Sequence, residues 1–369
     1  MDKKIDLIIP VYKAHKTLFK LLCSIAQQEE VDKIKVTLVN DCCPEGSYKE
    51  ITKRFSDVLD IQEFQLSENG GPGVARQYGI DHTNCPYIMF ADADDTLYGC
   101  FVFSNFLAMM ENNTEEGVVF SSFLEKTLNK QYLHHIKDTI WVFGKIYRRS
   151  FLEKYNIRFT NQRSNEDTCF NRKIMFIYWN LNKEIPFWDG FTYAWHSTNN
   201  SITTINHGQY SYDQSTCGFV DGMIETFDWA DKQRIDKITL EFEVMSAIFF
   251  LYITYCEVSS REEYFQEQNF EFIKKFYNKV WKRYGFEYQN DNFISMYEEN
   301  MHAFIAENKY NTRIFMSQPN IMEFMEALEN TPYNENDIYK IWDKIPEDIK
   351  DNNIKCGVVA KDYYEKVKK

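Results

Sequence analysis

Residues 87–95 read Tyr-Ile-Met-Phe-Ala-Asp-Ala-Asp-Asp. The apolar run Tyr87 to Ala91 is short and uninterrupted, as expected of a strand buried on both faces of a parallel sheet. Three carboxylates, Asp92, Asp94 and Asp95, follow at once. In open α/β sheets ligands collect beyond the carboxyl ends of the strands, which is where these side chains would stand. Asp92 and Asp94 are one residue apart, so an extended segment points both to the same side. Desolvated together they would repel unless a cation intervened. A hard divalent ion held by one or two carboxylates and completed by substrate phosphates is the usual solution. The competing reading is a solvated acidic turn that caps the next helix.

Upstream, the pattern is consistent with that strand lying in an α/β sheet. Ile5 to Val11 reads as a first strand, and Leu18, Leu21, Leu22 and Ile25 form the apolar stripe of an amphipathic helix. Lys35 to Val39 reads as a second strand that stops in the turn-forming Asn40-Asp41-Cys42-Cys43-Pro44. A helix over Tyr48 to Val58 and a third strand over Ile61 to Leu66 follow. Asn69 to Gly79 begins as a Gly-rich turn, where backbone amides can approach a ligand closely, and passes into a helix carrying Arg76. Strand and helix alternate four times, which predicts a mostly parallel sheet covered by helices.

Downstream of the acidic cluster a helix is expected over Gly99 to Met110, with strands over Gly117 to Phe123 and Thr139 to Tyr147. Ser164 or Asn165 is positioned to cap a helix over Thr168 to Trp179. Glu166 and Asp167 would then occupy its first turn, where negative charge is favoured. Phe187 to Trp195 reads as a last strand before a polar loop from His196. After about residue 209 glycine and proline become sparse and long helical patterns take over. The expected division is therefore an α/β domain over 1–209 and a helical domain over 210–369. Phe249, Phe250, Tyr252, Tyr255, Phe272, Phe276, Tyr277 and Trp281 recur at helical spacing and read as its core.

The 369 residues carry 44% hydrophobic and 17% aromatic side chains, enough for a sizeable core. A net charge of −13 without a long basic run argues against bare nucleic acid or anionic lipid as a partner. The nine cysteines show no CxxC pair, so neither a zinc site nor a disulfide framework is indicated, and a reducing cytoplasm is expected. No signal-peptide core stands at the N-terminus. Val244 to Cys256 is apolar but too short to span a bilayer, so no transmembrane segment is expected.

Seven segments then share one resemblance. IIPVYK (8–13), VNDCCPEGS (39–47), NGGPGVARQYGI (69–80), YIMFADADD (87–95), GKIYRR (144–149), SNEDTCFNRKI (164–174) and YAWHSTNNSIT (193–203) resemble, in that order, the family 2 glycosyltransferases of the GT-A fold. The resemblance implies inverting transfer of a hexose or N-acetylhexosamine from a UDP-sugar, dependent on Mn²⁺ or Mg²⁺, to a hydroxyl of a glycan or a polyol-phosphate polymer. By position, Pro10 and Tyr12 would line the nucleotide pocket, and Asp41 would accept from uracil N3. This chain has Asn-Asp-Cys-Cys where the family has Asp-Asp-Gly-Ser. Arg76 would stand near the nucleotide and diphosphate, Asp92 near the ribose or metal, and Asp94 on the metal itself. Asp167 matches the aspartate of the Glu-Asp motif, the general base. His196 matches a basic residue that contacts metal or diphosphate, with a hydrogen-bonded loop histidine as the alternative. The helical region shows no acceptor motif and is a candidate for acceptor binding or oligomerisation. Two other readings compete: a transferase acting on hydroxymethylated DNA bases, and a non-catalytic sugar-nucleotide-binding scaffold.

Overall fold

The computed structural model describes residues 2–162, 164–197, 209–258, 263–284, 291–306, 319–334 and 337. The chain divides into two compact units, Met1–Ser201 and Ile202–Lys369. Most of the polar segment expected after His196, residues 198–203, lies outside the described residues.

The first unit is built on nine strands in the order β3-β2-β1-β4-β8-β6-β9-β5, with β7 paired to β6. Strands β1 (Ile5–Val11), β2 (Ile34–Asn40), β3 (Asp60–Gln65) and β4 (Tyr87–Phe90) are all parallel to one another. β1 pairs Pro10 with Val39 and Ile8 with Phe90, so all three strands run out at one rim. That rim carries Tyr12, Asp41 and Asp92. Helices α1 (Leu18–Ala26), α2 (Lys49–Thr52), α3 (Pro72–Asp81) and α4 (Val102–Asn112) connect the strands or follow them. Leu18, Leu21, Leu22 and Ile25 of α1 are buried, as the stripe predicts. Each such side chain contributes roughly 1.5–3 kcal/mol of hydrophobic stabilisation.

The other half of the sheet is mixed. β5 (Thr96–Leu97), β6 (Val118–Lys126), β7 (Tyr132–His135), β8 (Lys145–Arg148) and β9 (Phe187–His196) include antiparallel pairings of β4 with β8, β6 with β8, β6 with β7 and β5 with β9. The expected parallel arrangement therefore holds for β3-β2-β1-β4, and beyond it the parallel pair β6–β9 stands among antiparallel ones. Between β6 and β8 the chain returns without a crossover helix, and such a return makes antiparallel pairs. The strand expected over Thr139 to Tyr147 is also shorter. Asp138 Oδ1 accepts from the amides of Ile140 and Trp141, each at 2.9 Å, folding a turn there. Gly144, at φ +65°, then re-aims the chain into β8. Helices α5 (Arg149–Lys154) and α6 (Glu166–Asn180) complete the unit.

The second unit is helical, with α7 (Gln209–Gln233), α8 (Lys237–Val258), α9 (Glu263–Lys279), α10 (Asp291–Ala306) and a helix at Ile321–Asn330. That last helix starts in a capping box between Asn320 and Glu323. Phe272, Phe276, Tyr252 and Trp281 are buried as expected, whereas Phe250 is exposed. α8 corrects a further expectation. It runs 22 residues, and Lys237–Cys256 is long and apolar enough, by length and composition, to cross a membrane. Half of that segment is buried within the protein. The apolar run looked short because Glu241 and Glu243 interrupt it, but Glu243 is itself buried.

Candidate active site

The β4 strand is buried throughout, and its last residues deliver Asp92 to Asp95 into a tight turn closed by Asp95 N to Asp92 O at 3.1 Å. Asp95 belongs to the scaffold. Its Oδ2 accepts from Tyr193 Oη at 2.8 Å and its Oδ1 from the His196 amide at 2.7 Å, while the Asp92 amide donates to the same Tyr193 Oη at 2.8 Å. The turn is thereby fastened to β9. Asp92 and Asp94 remain partly open on it.

Arg76, on α3, is 4% exposed and does not project freely toward a ligand. Its Nη2 donates to Asp92 Oδ1 at 2.6 Å and its Nη1 to Glu166 Oε1 at 2.7 Å. One guanidinium thus joins the turn after β4 to the first turn of α6. The helices approach so closely that a Cβ on Gly73 would stand 2.9 Å from Glu166 Cγ. Burial opposes the charge on Arg76, but Asp92, Glu166 and Asp167 together hold it firmly protonated. Three carboxylates share this one cation. Burial and the Asp167 charge push Glu166 up to about 8 against the pull of Arg76. Asp167 is also raised by burial, with Arg76 and the Thr168 amide opposing. Asn165 occupies the cap position of α6 in the left-handed region, and its side chain makes no capping bond.

Asp94 is pushed up to about 6 by burial and by the Asp92 charge beside it. Such a carboxylate lacks positive charge, and oxygen donors suit Mg²⁺ or Mn²⁺. Among the described residues no three His, Cys, Asp or Glu side chains gather as a metal site. The chain therefore fits an ion that takes one or two carboxylates from Asp92 and Asp94 and its remaining ligands from a bound phosphate or water. His196 is not brought into that set. Lys20 Nζ donates to its Nε2 at 2.9 Å, and Thr96 Oγ1 lies 3.0 Å from the same nitrogen. Burial, Lys20 and Lys126 lower its pKa to about 4, so the imidazole is neutral.

On the β1–β2 side, Tyr12 is 44% exposed just beyond β1 and Pro10 is partly buried within it. Asp41 is buried, and both of its oxygens face the Gly-rich turn: Oδ1 accepts from Gly70 N at 2.7 Å and Oδ2 from Gly71 N at 2.8 Å. Gly71 sits at φ +88°, where a side chain would be strained. Asp41 thus organises the turn that leads into α3.

Two further groups complete the surroundings, Lys145, which the sequence offers as bordering the acceptor or as core strand, and Glu63, which it does not single out. Lys145 is wholly buried beside Asp138, at 3.5 Å, and burial lowers it to about 8. Glu63 accepts from Asn40 Nδ2 at 3.1 Å and from the Tyr48 amide at 3.2 Å, closing the turn that follows Asp41. The acidic partner of Arg76, Glu166, was legible only as a first-turn carboxylate.

Residues 6–174 match the model of glycosyl transferase family 2. The poly(ribitol-phosphate) beta-N-acetylglucosaminyltransferase TarS of Staphylococcus aureus is 28% identical over 199 residues, covering 49% of this chain and 33% of that protein. The teichoic acid poly(glycerol phosphate) polymerase of Staphylococcus epidermidis is 34% identical over 95 residues, covering 26% of this chain and 13% of that protein. The matched stretches thus span a third or less of these curated relatives. The crystal structure of S. aureus TarS 1-349 is similar with a TM-score of 0.57 and 20% identity, over 76% of this chain and 82% of that one. This is a likeness of fold, and it extends the GT-A reading of the mixed sheet and the helical region after it. The sequence match thus places residues 6–174 in glycosyl transferase family 2.

Proposed function

We propose that the chain transfers an N-acetylhexosamine or a hexose from a UDP-sugar to a hydroxyl of a polyol-phosphate polymer or a related glycan, with inversion and with a divalent ion. The observation that carries the reading is the Arg76 bridge, which holds Asp92 and Glu166 on one side chain. The segment that suits a donor and its ion and the segment that suits a base therefore face a single centre. The acceptor class draws support from the names of TarS and of the poly(glycerol phosphate) polymerase. A UDP-sugar donor draws support from a TarS structure in complex with UDP-GlcNAc.

Tyr12 and Pro10 border the nucleotide, and Asp41 shapes the nucleotide side of the pocket through Gly70 and Gly71. In this reading Asp41 also accepts from a base N–H. Asp94, with Asp92 beside it, would hold Mn²⁺ or Mg²⁺, whose charge stabilises a departing diphosphate. Arg76 acts on this centre by orienting Asp92 and Glu166, and direct phosphate contact is not its role in this arrangement. Asp167 takes the acceptor proton as the hydroxyl attacks, a task suited to a carboxylate raised toward neutrality. One in-line displacement inverts the anomeric centre, so no covalent nucleophile is required. The helical unit is assigned acceptor binding or self-association, and the cytoplasm is the proposed setting.

A donor panel read by UDP release, with and without Mn²⁺, tests the reading, followed by transfer to polyol-phosphate and neutral glycan acceptors. Metal-stimulated turnover with a UDP-sugar is the expected result. Failure of every common donor favours the scaffold alternative. Salt-dependent DNA binding with transfer to hydroxymethylated bases favours the nucleic-acid alternative.

A further inference from the structure

In a chain of net charge −13, one histidine, His196, has a lysine in contact with it and a second as its strand-register partner. Lys20 of α1 donates to His196 Nε2 at 2.9 Å, and Thr96 Oγ1 stands 3.0 Å from that nitrogen. Lys126 is the register partner of His196 across β6 and β9, and its carbonyl accepts from the Ser197 amide at 3.0 Å. The acids that adjoin these groups in sequence are engaged elsewhere. Asp95 directs its oxygens to Tyr193 Oη and the His196 amide. Glu125 lies 3.0 Å from His135 Nε2 and accepts from Ser197 Oγ at 3.1 Å. Among the described residues neither Lys20 nor Lys126 makes an ion pair. Burial and the Lys126 charge lower Lys20, with the Asp95 charge opposing, and an anion bound at Lys20 and Lys126 would be stabilised by both.

We propose that Lys20 and Lys126, with Thr96 and His196 between them, form a subsite for a phosphodiester of the acceptor. The proposal rests on the acceptor class given under Proposed function. The position favours acceptor over donor. The nucleotide features, Tyr12, Asp41 and the Gly70–Gly71 turn, adjoin β1, β2 and α3, whereas Thr96, Lys126 and His196 stand on β5, β6 and β9, and Lys20 reaches His196 from α1. The cluster adjoins the turn Asp92–Asp95, whose Asp95 accepts from the His196 amide at 2.7 Å. A polyanionic acceptor approaching that acidic centre is repelled by Asp92, Asp94, Glu166 and Asp167, and a cationic anchor beside it offsets the repulsion.

The test compares wild type with Lys20→Met, Lys126→Met and the doubly charge-reversed Lys20→Glu/Lys126→Glu protein, with the preferred UDP-sugar and a synthetic ribitol-phosphate oligomer. The expected result is a rise in acceptor KM of about tenfold for each single variant and more for the double reversal, with kcat within about twofold and a weaker dependence of KM on salt. Thermal melting checks that each variant is folded, and any variant that fails this check is replaced by Lys→Gln. Donor KM, read by UDP release without acceptor, separates the sources of phosphate. A rise there in place of the acceptor effect assigns the lysines to the donor diphosphate and overturns the proposal, as does an unchanged acceptor KM. Calorimetric binding of the same oligomer separates the subsite from the wider reading. If wild type uses only neutral acceptors yet binds the oligomer through these lysines, the acceptor class falls and the anion site stands. If wild type does not bind it, the site falls too.

Discussion

Arg76 Nη1 and Glu166 Oε1 stand 2.7 Å apart, with both side chains buried. The pair ties α3, which begins in the turn held by Asp41, to the first turn of α6, which presents Asp167. Removing the guanidinium leaves Glu166 without its cation and Asp92 without its tether. Arg76→Met is therefore expected to destabilise the protein by about 3–5 kcal/mol, as breaking a buried pair does. Glu166→Gln retains a hydrogen-bond acceptor for Arg76 and adds no buried charge, so it should lose no more than about 1–2 kcal/mol. Urea unfolding of both variants measures the difference, and equal losses would remove the argument.

Asp167→Asn is expected to bind the donor as wild type does and to lose transfer by about 10²–10⁴-fold. Its amide keeps an oxygen for the Thr168 amide, which donates to Asp167 Oδ1 at 2.7 Å, so the helix start is preserved. The wild-type rate should rise with pH through a limb above the ordinary aspartate range, because a base acts only when deprotonated and burial raises this one. That limb should vanish in the variant. Calorimetry with the UDP-sugar and a pH profile of kcat/KM report the two halves of the claim. Transfer surviving near the wild-type rate would show that the base lies elsewhere.

Asp41→Ala takes the acceptors away from Gly70 N and Gly71 N, 2.7 and 2.8 Å from its oxygens. The buried Gly71 amide then loses its partner at about 1–3 kcal/mol before relaxation, and the part-buried Gly70 amide loses its own at less. Donor KM should rise by roughly tenfold or more, since one pK-sized free-energy step of about 1.4 kcal/mol is a factor of ten. Asp41→Asn, which retains one acceptor oxygen, should fall between wild type and alanine. Identical donor KM values across the series would detach Asp41 from the nucleotide side.

Much of this geometry was legible in the sequence where local pattern and long-range pairing agree. The apolar run Tyr87 to Ala91 has one sensible place, and β4 is buried along its length. The strand–helix alternation upstream leaves one topology for β3-β2-β1-β4. Beyond Asp95 that agreement ends. Thr139 to Tyr147 carries strand-like residues, but a side-chain acceptor, Asp138, and the left-handed Gly144 turn the chain before β8 begins. Two-residue β5 is too short to leave a periodic signal. At the site, the residue types near a ligand were readable, whereas their partners were not. Nothing in the spacing of Arg76 and Glu166, ninety residues apart, announces their contact. Lys145 reads equally as a residue bordering the acceptor or as part of a core strand, and the fold buries it.

Asp94 gives the clearest dependence of stability on pH. Its carboxyl lies at about 6 in the folded protein against an ordinary value of 3.8, raised by burial and by Asp92. The folded state therefore holds a proton that the unfolded chain releases first. That contribution to stability is complete below the unfolded value and is lost as pH rises through about 6. Above pH 7 the folded protein carries the cost of an unneutralised carboxylate, about 1–2 kcal/mol once partial solvent access is counted. Asp94→Asn mimics the protonated form. It should melt higher than wild type at pH 7.5 and match it at pH 4. Mn²⁺ should raise the melting temperature of wild type at pH 7.5 by more than that of the variant, which has only the Asp92 carboxylate left to offer the ion. The variant should at the same time lose metal-stimulated UDP release. Stability would then rise as activity falls, which is the signature of a group kept for function at the expense of the fold. If the two proteins melt alike at pH 7.5, Asp94 carries no such cost and its assignment to the ion loses its physical basis.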